Sequence, residues 1–189
     1  VDPAWSRAAP PTADWCRAHG IPGDYVLFVG ALGPRKNLPR LLAAFRAAQV
    51  AGLSLVLAGP AGRGAPPDDV PHVVPTGWLE DRELHDLVAG ARALALPSLD
   101  EGFGLPVLEA LAAGRPVLAA DVPALREVAG GHAVLADPRD VDALAQGLLN
   151  VLAAPDDEAA RSARRTWAGR FTWAATADRT VEAYVRAAA

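Results

Sequence analysis

The sequence predicts an α/β fold, a parallel sheet flanked by helices that ends in a helical tail, and three observations predict it. Short apolar runs at residues 25–29, 53–58 and 93–96 show no alternation, as strands buried on both faces do. Between them lie segments with apolar residues three and four apart, the mark of amphipathic helices. Glycine-containing turns follow the apolar runs. Short strands alternating with helices make βα repeats around one sheet.

The elements follow in order. Residues 1–24 carry four prolines, including Pro10-Pro11, and little periodicity beyond a short helix at 13–19, so they read as a linker and lead-in. Residues 25–29 are the first strand. Asn37 is placed to cap a helix over 38–51, whose Leu38, Leu41, Leu42 and Phe45 share a face. Pro39 falls in its first turn, where proline is tolerated. A second strand at 53–58 leads into a loop over 59–69 that contains Gly62-Arg63-Gly64. A weaker strand follows at 70–75, then a helix capped by Asp81 and running to 89. Strand 93–96, helix 105–113, strand 116–119, helix 124–128 and strand 133–135 complete the alternation. From Val141 the chain is helical, and its last helix, 173–188, is expected outside the sheet. Three regions result: the lead-in 1–24, a Rossmann-like domain 25–170 and a C-terminal helix within 171–189.

The chain has 189 residues, 51% of them apolar, enough for one domain with a real core. Its net charge is −4, with basic residues scattered among acidic ones, which argues against nucleic acid as a partner. Cys16 is alone, so neither a disulfide framework nor a cysteine metal cluster is expected. A lone cysteine fits a reducing, cytoplasmic setting. No apolar run approaches the roughly 18 residues of a membrane span, and the start is not signal-like. The sequence contains no Met, so it reads as part of a longer protein.

In open α/β sheets the ligand lies beyond the carboxyl ends of the strands, so the loops there carry the function. The loop Ser98-Leu99-Asp100-Glu101-Gly102-Phe103-Gly104 joins strand 93–96 to a helix. A strand, a tight glycine turn and a helix N-terminus form an anion site, because free N–H groups and the helix dipole favour phosphate. Glu101 sits at the turn, and Glu109 is the only charged residue between Gly102 and Gly114. Carboxylates on either side of a phosphate site can accept hydrogen bonds from hydroxyls, and phosphate between two hydroxyl-rich groups describes a sugar nucleotide. Ordinary alternatives stand beside this: Glu101 as a helix cap and Glu109 as an exposed helix residue.

The loop Gly30-Ala31-Leu32-Gly33-Pro34-Arg35-Lys36-Asn37 offers two glycines for close backbone approach and two cations for a diphosphate. Its spacing does not fit a P-loop, and a solvated basic turn is the alternative. Trp78, in Thr76-Gly77-Trp78-Leu79-Glu80, either walls a base or fills a core edge. Gly102-Phe103-Gly104 and Gly62-Arg63-Gly64 are poor dinucleotide signals. Four isolated histidines give no metal spacing. Asp140-Val141-Asp142 reads as a helix cap, and Arg161, Arg164 and Arg165 as a solvated basic face.

Taken together these residues resemble the family 4 (group 1) retaining glycosyltransferases of the GT-B fold, which pair two Rossmann-like domains across a cleft. The chain resembles the C-terminal, donor-binding domain from residue 25 onward. The resemblance rests on Val29-Gly30 with Pro34-Arg35-Lys36-Asn37, on Ala58-Gly59-Pro60, on Gly77-Trp78 with Leu84, and on Pro97-Ser98. Its most specific part is the E-x7-E element, Glu101-Gly102-Phe103-Gly104-Leu105-Pro106-Val107-Leu108-Glu109-Ala110. Gly114-Arg115-Pro116-Val117, Glu127-Val128-Ala129-Gly130 and Asp137-Pro138 extend it, and Val1-Asp2-Pro3 resembles the end of the interdomain linker.

The resemblance implies transfer of a hexose from a nucleoside-diphosphate sugar, GDP-mannose or a UDP-sugar, with retention and without a metal or other cofactor. By it, Glu101, Lys36 and Arg35 are the catalytic group: Glu101 meets the donor sugar, and Arg35 and Lys36 hold the diphosphate. Backbone N–H groups at Phe103, Gly104 and Leu105, beside Gly102, assist at the diphosphate. Glu109 holds the ribose hydroxyls, Trp78 and Leu79 border the base, and Gly30 lies in the donor loop. The family commonly has arginine where this chain has Ala31; a subset reading E-P-R-K-N also lacks it, and Arg35 is expected to compensate. The acceptor, a glycan, lipid or small molecule, would be met by a missing N-terminal domain, without which this domain is expected to be inactive. The C-terminal helix is expected to pack on that domain. A cytoplasmic location follows, with peripheral attachment at the inner membrane face as an option. The other readings are a sugar-nucleotide-binding module without turnover and a GT-B epimerase; an epimerase is expected to lack the complete E-x7-E element.

Overall fold

Strands that face helices on both sides must be apolar on both sides, and the central runs here obey that rule. β1 (Tyr25–Val29), β2 (Ser54–Ala58), β4 (Ala93–Leu96) and β5 (Val117–Ala120) are buried almost throughout. In the computed structural model, which describes residues 1–62 and 70–188, they join β3 (Val73–Gly77) and β6 (Val134–Ala136) in one six-stranded parallel sheet. The order is β3-β2-β1-β4-β5-β6. The chain lays down β1, β2 and β3 outward to one edge, then returns to place β4 on the other side of β1. That reversal leaves a crevice beyond the carboxyl ends of β1 and β4.

The edge strand departs from expectation. β3 begins three residues later than the predicted 70–75 and runs on to Gly77. It is only half-buried and contains Pro75, which an edge strand tolerates because one side needs no ladder donor. Its register against β2 shifts at Leu57/Ala58.

Nine α-helices complete the described residues. α1 (Ala4–Arg7) and α2 (Ala13–Ala18) occupy the lead-in; α1 was not expected. It buries Trp5, whose ring meets His85 edge-on at 4.1 Å. α3 (Leu38–Ala48) stops three residues short of the expected end, where Gln49 turns left-handed at φ 48°. α4 (Asp81–Gly90) is capped by Glu80 rather than Asp81, and Glu83 Oε2 accepts from the Glu80 N–H at 3.1 Å. α5 (Leu105–Ala112) and α6 (Pro123–Ala129) follow β4 and β5. α7 (Val141–Ala153) is capped as expected, with Asp140 Oδ1 accepting from Asp142 and Ala143 N–H groups at 2.9 and 3.0 Å. α3 packs against α7, whereas α5 packs against α1, α6 and α8 (Glu158–Ala168).

The expected solvated basic face on α8 is instead a staple. Arg164 is buried and donates to Gly114 O at 3.0 Å, Pro155 O at 2.6 Å and Asp156 at 3.1 Å. Arg161 pairs with the same Asp156 at 2.7 Å and Arg115 lies 3.6 Å from it. One carboxylate thus gathers three guanidinium groups and ties α8 to the turn between α5 and β5. The last helix, α9 (Trp173–Ala188), buries no residue and leaves Trp173, Val181, Tyr184 and Val185 exposed. No helix among the described residues is long and apolar enough to cross a membrane.

Candidate functional site

The loops after β1 and β4 meet at the reversal of strand order. Pro34–Lys36 forms a single 3-10 turn that presents Arg35 and Lys36 towards the β4 loop. Backbone joins backbone first: Leu99 N–H donates to Arg35 O at 2.9 Å. The Arg35 side chain then returns the contact, with Nη1 donating to Asp100 O at 2.7 Å and to Glu101 Oε2 at 3.0 Å. Lys36 Nζ donates to Glu101 Oε1 at 2.6 Å. The side chains of Lys36 and Glu101 are 13% and 8% exposed, so solvent screens that pair weakly. Burial alone would raise the Glu101 carboxyl. The hydrogen bond from Lys36, the adjacent Ser98 hydroxyl, the Lys36 charge and the bond from Arg35 outweigh it and hold the carboxyl below its ordinary value. Ser98 is fully buried, and its Oγ has no hydrogen bond of normal geometry.

Asn37 departs from its expected role. It does not cap α3: it turns left-handed at φ 59° and its side chain makes no cap bond. Instead Nδ2 donates to Pro97 O at 3.0 Å and to Pro138 O at 2.6 Å, while Oδ1 accepts from Arg40 at 3.0 Å. This buried amide clamps the loops after β1, β4 and β6 together. The polar residue before a helix was the visible signal, but nothing local distinguishes a cap from a clamp.

Glycine is required at two positions here. Gly104 opens α5 at φ 98°, and a Cβ there would lie 2.3 Å from Leu125 Cδ2. Gly30 has φ 140°, and a Cβ would stand 3.2 Å from Lys36 Cε, so its absence lets the lysine stem fold back towards Glu101. At the start of α5, Leu105 lies in the first turn, whose N–H groups have no helical acceptor, and Pro106 has no N–H to offer. Gly102, Phe103 and Leu105 are exposed beside this end.

Glu109 lies one helical turn beyond Leu105, on the same face. It is half-buried, and burial pushes its carboxyl up to about 7. Trp78 and Leu79 follow β3 at the same carboxyl edge of the sheet, two strands from β1. Trp78 is 73% exposed, so it is not a core-edge residue, whereas Leu79 belongs to the core. Arg63, Gly64 and the rest of the expected loop up to Asp69 lie outside the described residues. Among the described residues no group of three or more His, Cys, Asp or Glu side chains could hold a metal ion. A cavity of ≈ 430 Å³ bordered by Phe45, Gln49, Leu53 and His72 lies at the opposite, amino edge of the sheet, away from these groups.

The family model described as "Glycosyl transferases group 1" matches residues 23–154. The chain belongs to this family. The group 1 domain is 36% identical over 176 residues to O-antigen chain mannosyltransferase B of Escherichia coli, covering 85% of this chain and 45% of that one. It thus spans about half the length, or less, of the curated relatives it matches. Sucrose-phosphate synthase from Thermosynechococcus elongatus superposes with a TM-score of 0.75 at 26% identity, over 100% of this chain and 52% of that one. Anabaena HepE in complex with UDP and glucose superposes with a TM-score of 0.77 at 19% identity, over 98% of this chain and 55% of that one. The group 1 domain therefore has the Rossmann-like fold found in one half of GT-B glycosyltransferases.

Proposed function

We propose that the chain is the donor-binding domain of a retaining glycosyltransferase, which moves a hexose from a nucleoside-diphosphate sugar to a glycan, lipid or small-molecule acceptor. The observation that carries this reading is the meeting of Arg35, Lys36 and Glu101 at the reversal of strand order, beside the N-terminus of α5. Trp78, exposed just after β3 and on the carboxyl edge of the sheet two strands from β1, offers a ring face to a base at one end of the nucleotide. The ribose would then lie over α5, with Glu109 accepting from its hydroxyls. The diphosphate lies across Arg35, Lys36 and the amides of Phe103, Gly104 and Leu105, and the sugar faces Glu101.

The chemistry follows from charge. As the bond between the sugar and the diphosphate breaks, negative charge grows on the leaving phosphate and positive charge on the sugar. Two cations and a helix N-terminus aimed at the phosphate stabilise the first, without a metal. Glu101, ionised at neutral pH, stabilises and orients the second. The likeness to a mannosyltransferase favours a mannosyl donor. The acceptor side, and any attachment to a membrane face, would come from residues outside this chain.

Calorimetric titration with UDP, GDP and ADP, repeated on Glu109→Gln, tests the reading. One nucleotide should bind and the variant should lose it. Equal affinity in both proteins would remove Glu109 from the ribose, and no binding in either would discard the donor site.

A further inference from the structure

As folded, the chain holds its two phosphate-directed cations on a carboxylate of its own. Each oxygen of Glu101 takes one cation, Oε1 from Lys36 at 2.6 Å and Oε2 from Arg35 at 3.0 Å. These are the N–H groups a diphosphate would need, and a donor N–H pointing at one anionic oxygen cannot serve a second equally well. The two cations are not equally free. Arg35 is also anchored by Asp100 O at 2.7 Å and by its own carbonyl, which accepts from Leu99. Lys36 Nζ has Glu101 as its acceptor and no other among the described residues. Lys36 is therefore the contested cation.

Resting on the donor-site reading, we infer that Glu101 is an exchangeable counter-charge that holds the diphosphate's place between turnovers. The incoming donor takes Lys36 over, and the released carboxylate turns to the hydroxyls of the donor sugar, which compensate it. After transfer the sugar is gone and the carboxylate has lost that compensation. It competes again for Lys36 and drives the nucleoside diphosphate out. Glu101 thus favours the sugar-bearing donor over the spent product, and product release is built into the same ion pair.

The test compares nucleoside diphosphate with the matching hexose donor by calorimetry, on the unmodified chain, Glu101→Gln, Glu101→Asp and Glu109→Gln. Removing the competitor should tighten diphosphate binding about tenfold or more, the order of one charge-assisted hydrogen bond. Donor binding should tighten less or weaken, because the sugar loses its carboxylate. Aspartate keeps the charge but shortens the reach to Lys36. If the contact matters it too should bind diphosphate more tightly, and it carries the test alone if the glutamine variant does not fold. Diphosphate affinity unchanged in Glu101→Asp would mean simple charge repulsion and would overturn the exchange. Unchanged or weaker diphosphate binding in Glu101→Gln, with Glu109→Gln still losing it, would overturn the exchange and leave the donor site standing. No binding in any of the four proteins would overturn both.

Discussion

Glu109→Gln should make the chain more stable at neutral pH while it removes nucleotide binding. In the unfolded chain this carboxyl ionises near 4.5, and in the folded chain burial moves it to about 7. Between those values the unfolded state holds fewer protons than the folded one, so stability falls as pH rises through the window. Above it the full cost is present. The step from 4.5 to about 7 corresponds to about 3 kcal/mol as an upper bound. Glutamine carries no charge to desolvate but still places an amide in the same half-buried spot. A net gain of about 1–2 kcal/mol is therefore expected, or roughly 2–8 °C in melting temperature for a chain of this size. Thermal unfolding followed by circular dichroism at about pH 5 and pH 8 measures it. The variant should melt above the parent at the higher pH and close to it at the lower. A difference that does not change with pH, or a less stable variant at the higher pH, would refute the reasoning. The trade of stability for binding is the usual signature of a functional residue.

The same carboxyl predicts that nucleoside affinity, free of phosphate titration, is about tenfold weaker near pH 6 than near pH 8, since only the ionised fraction binds; an affinity that calorimetry finds unchanged between those pH values would discard the ribose role. Lys36→Ala should weaken diphosphate binding at least about tenfold and leave nucleoside binding unchanged; equal losses would discard the phosphate role. Gly104→Ala, which forces a Cβ against Leu125 at a left-handed φ, should cost about 2 kcal/mol or more in urea unfolding. Asn37→Ala releases two carbonyl clamps and should cost about 1–3 kcal/mol by the same measurement.

What could be read from the sequence depended on how local its cause was. β1 and β4 were legible to the residue because near-complete burial makes an unbroken apolar run. β3 was displaced because an edge strand buries only half its surface and here carries a proline. The site loops were legible as loops after strands, and the sequence marks Glu101 and Lys36 individually. Their contact was not legible, because 65 residues separate them and only the strand order makes them neighbours. Arg164 misled for a similar reason: its spacing with Arg161 and Arg165 mimics a solvated face, while one acceptor, Gly114, stands 50 residues away. Asn37 shows the limit of local chemistry, since the signal for a cap and for a clamp is the same side chain.

The clamp has a consequence for engineering. Through one amide, the segment after β1 is bonded to those after β4 and β6, so exchanging it with a relative's would break bonds to both, and exchanging either of the others would break its bond to Asn37. Trp78 stands after β3, outside those segments. On the proposed donor-site reading, chimeras aimed at the base should be built by replacing the β3 loop alone, and chimeras aimed at the phosphate or sugar end by transplanting all three segments together.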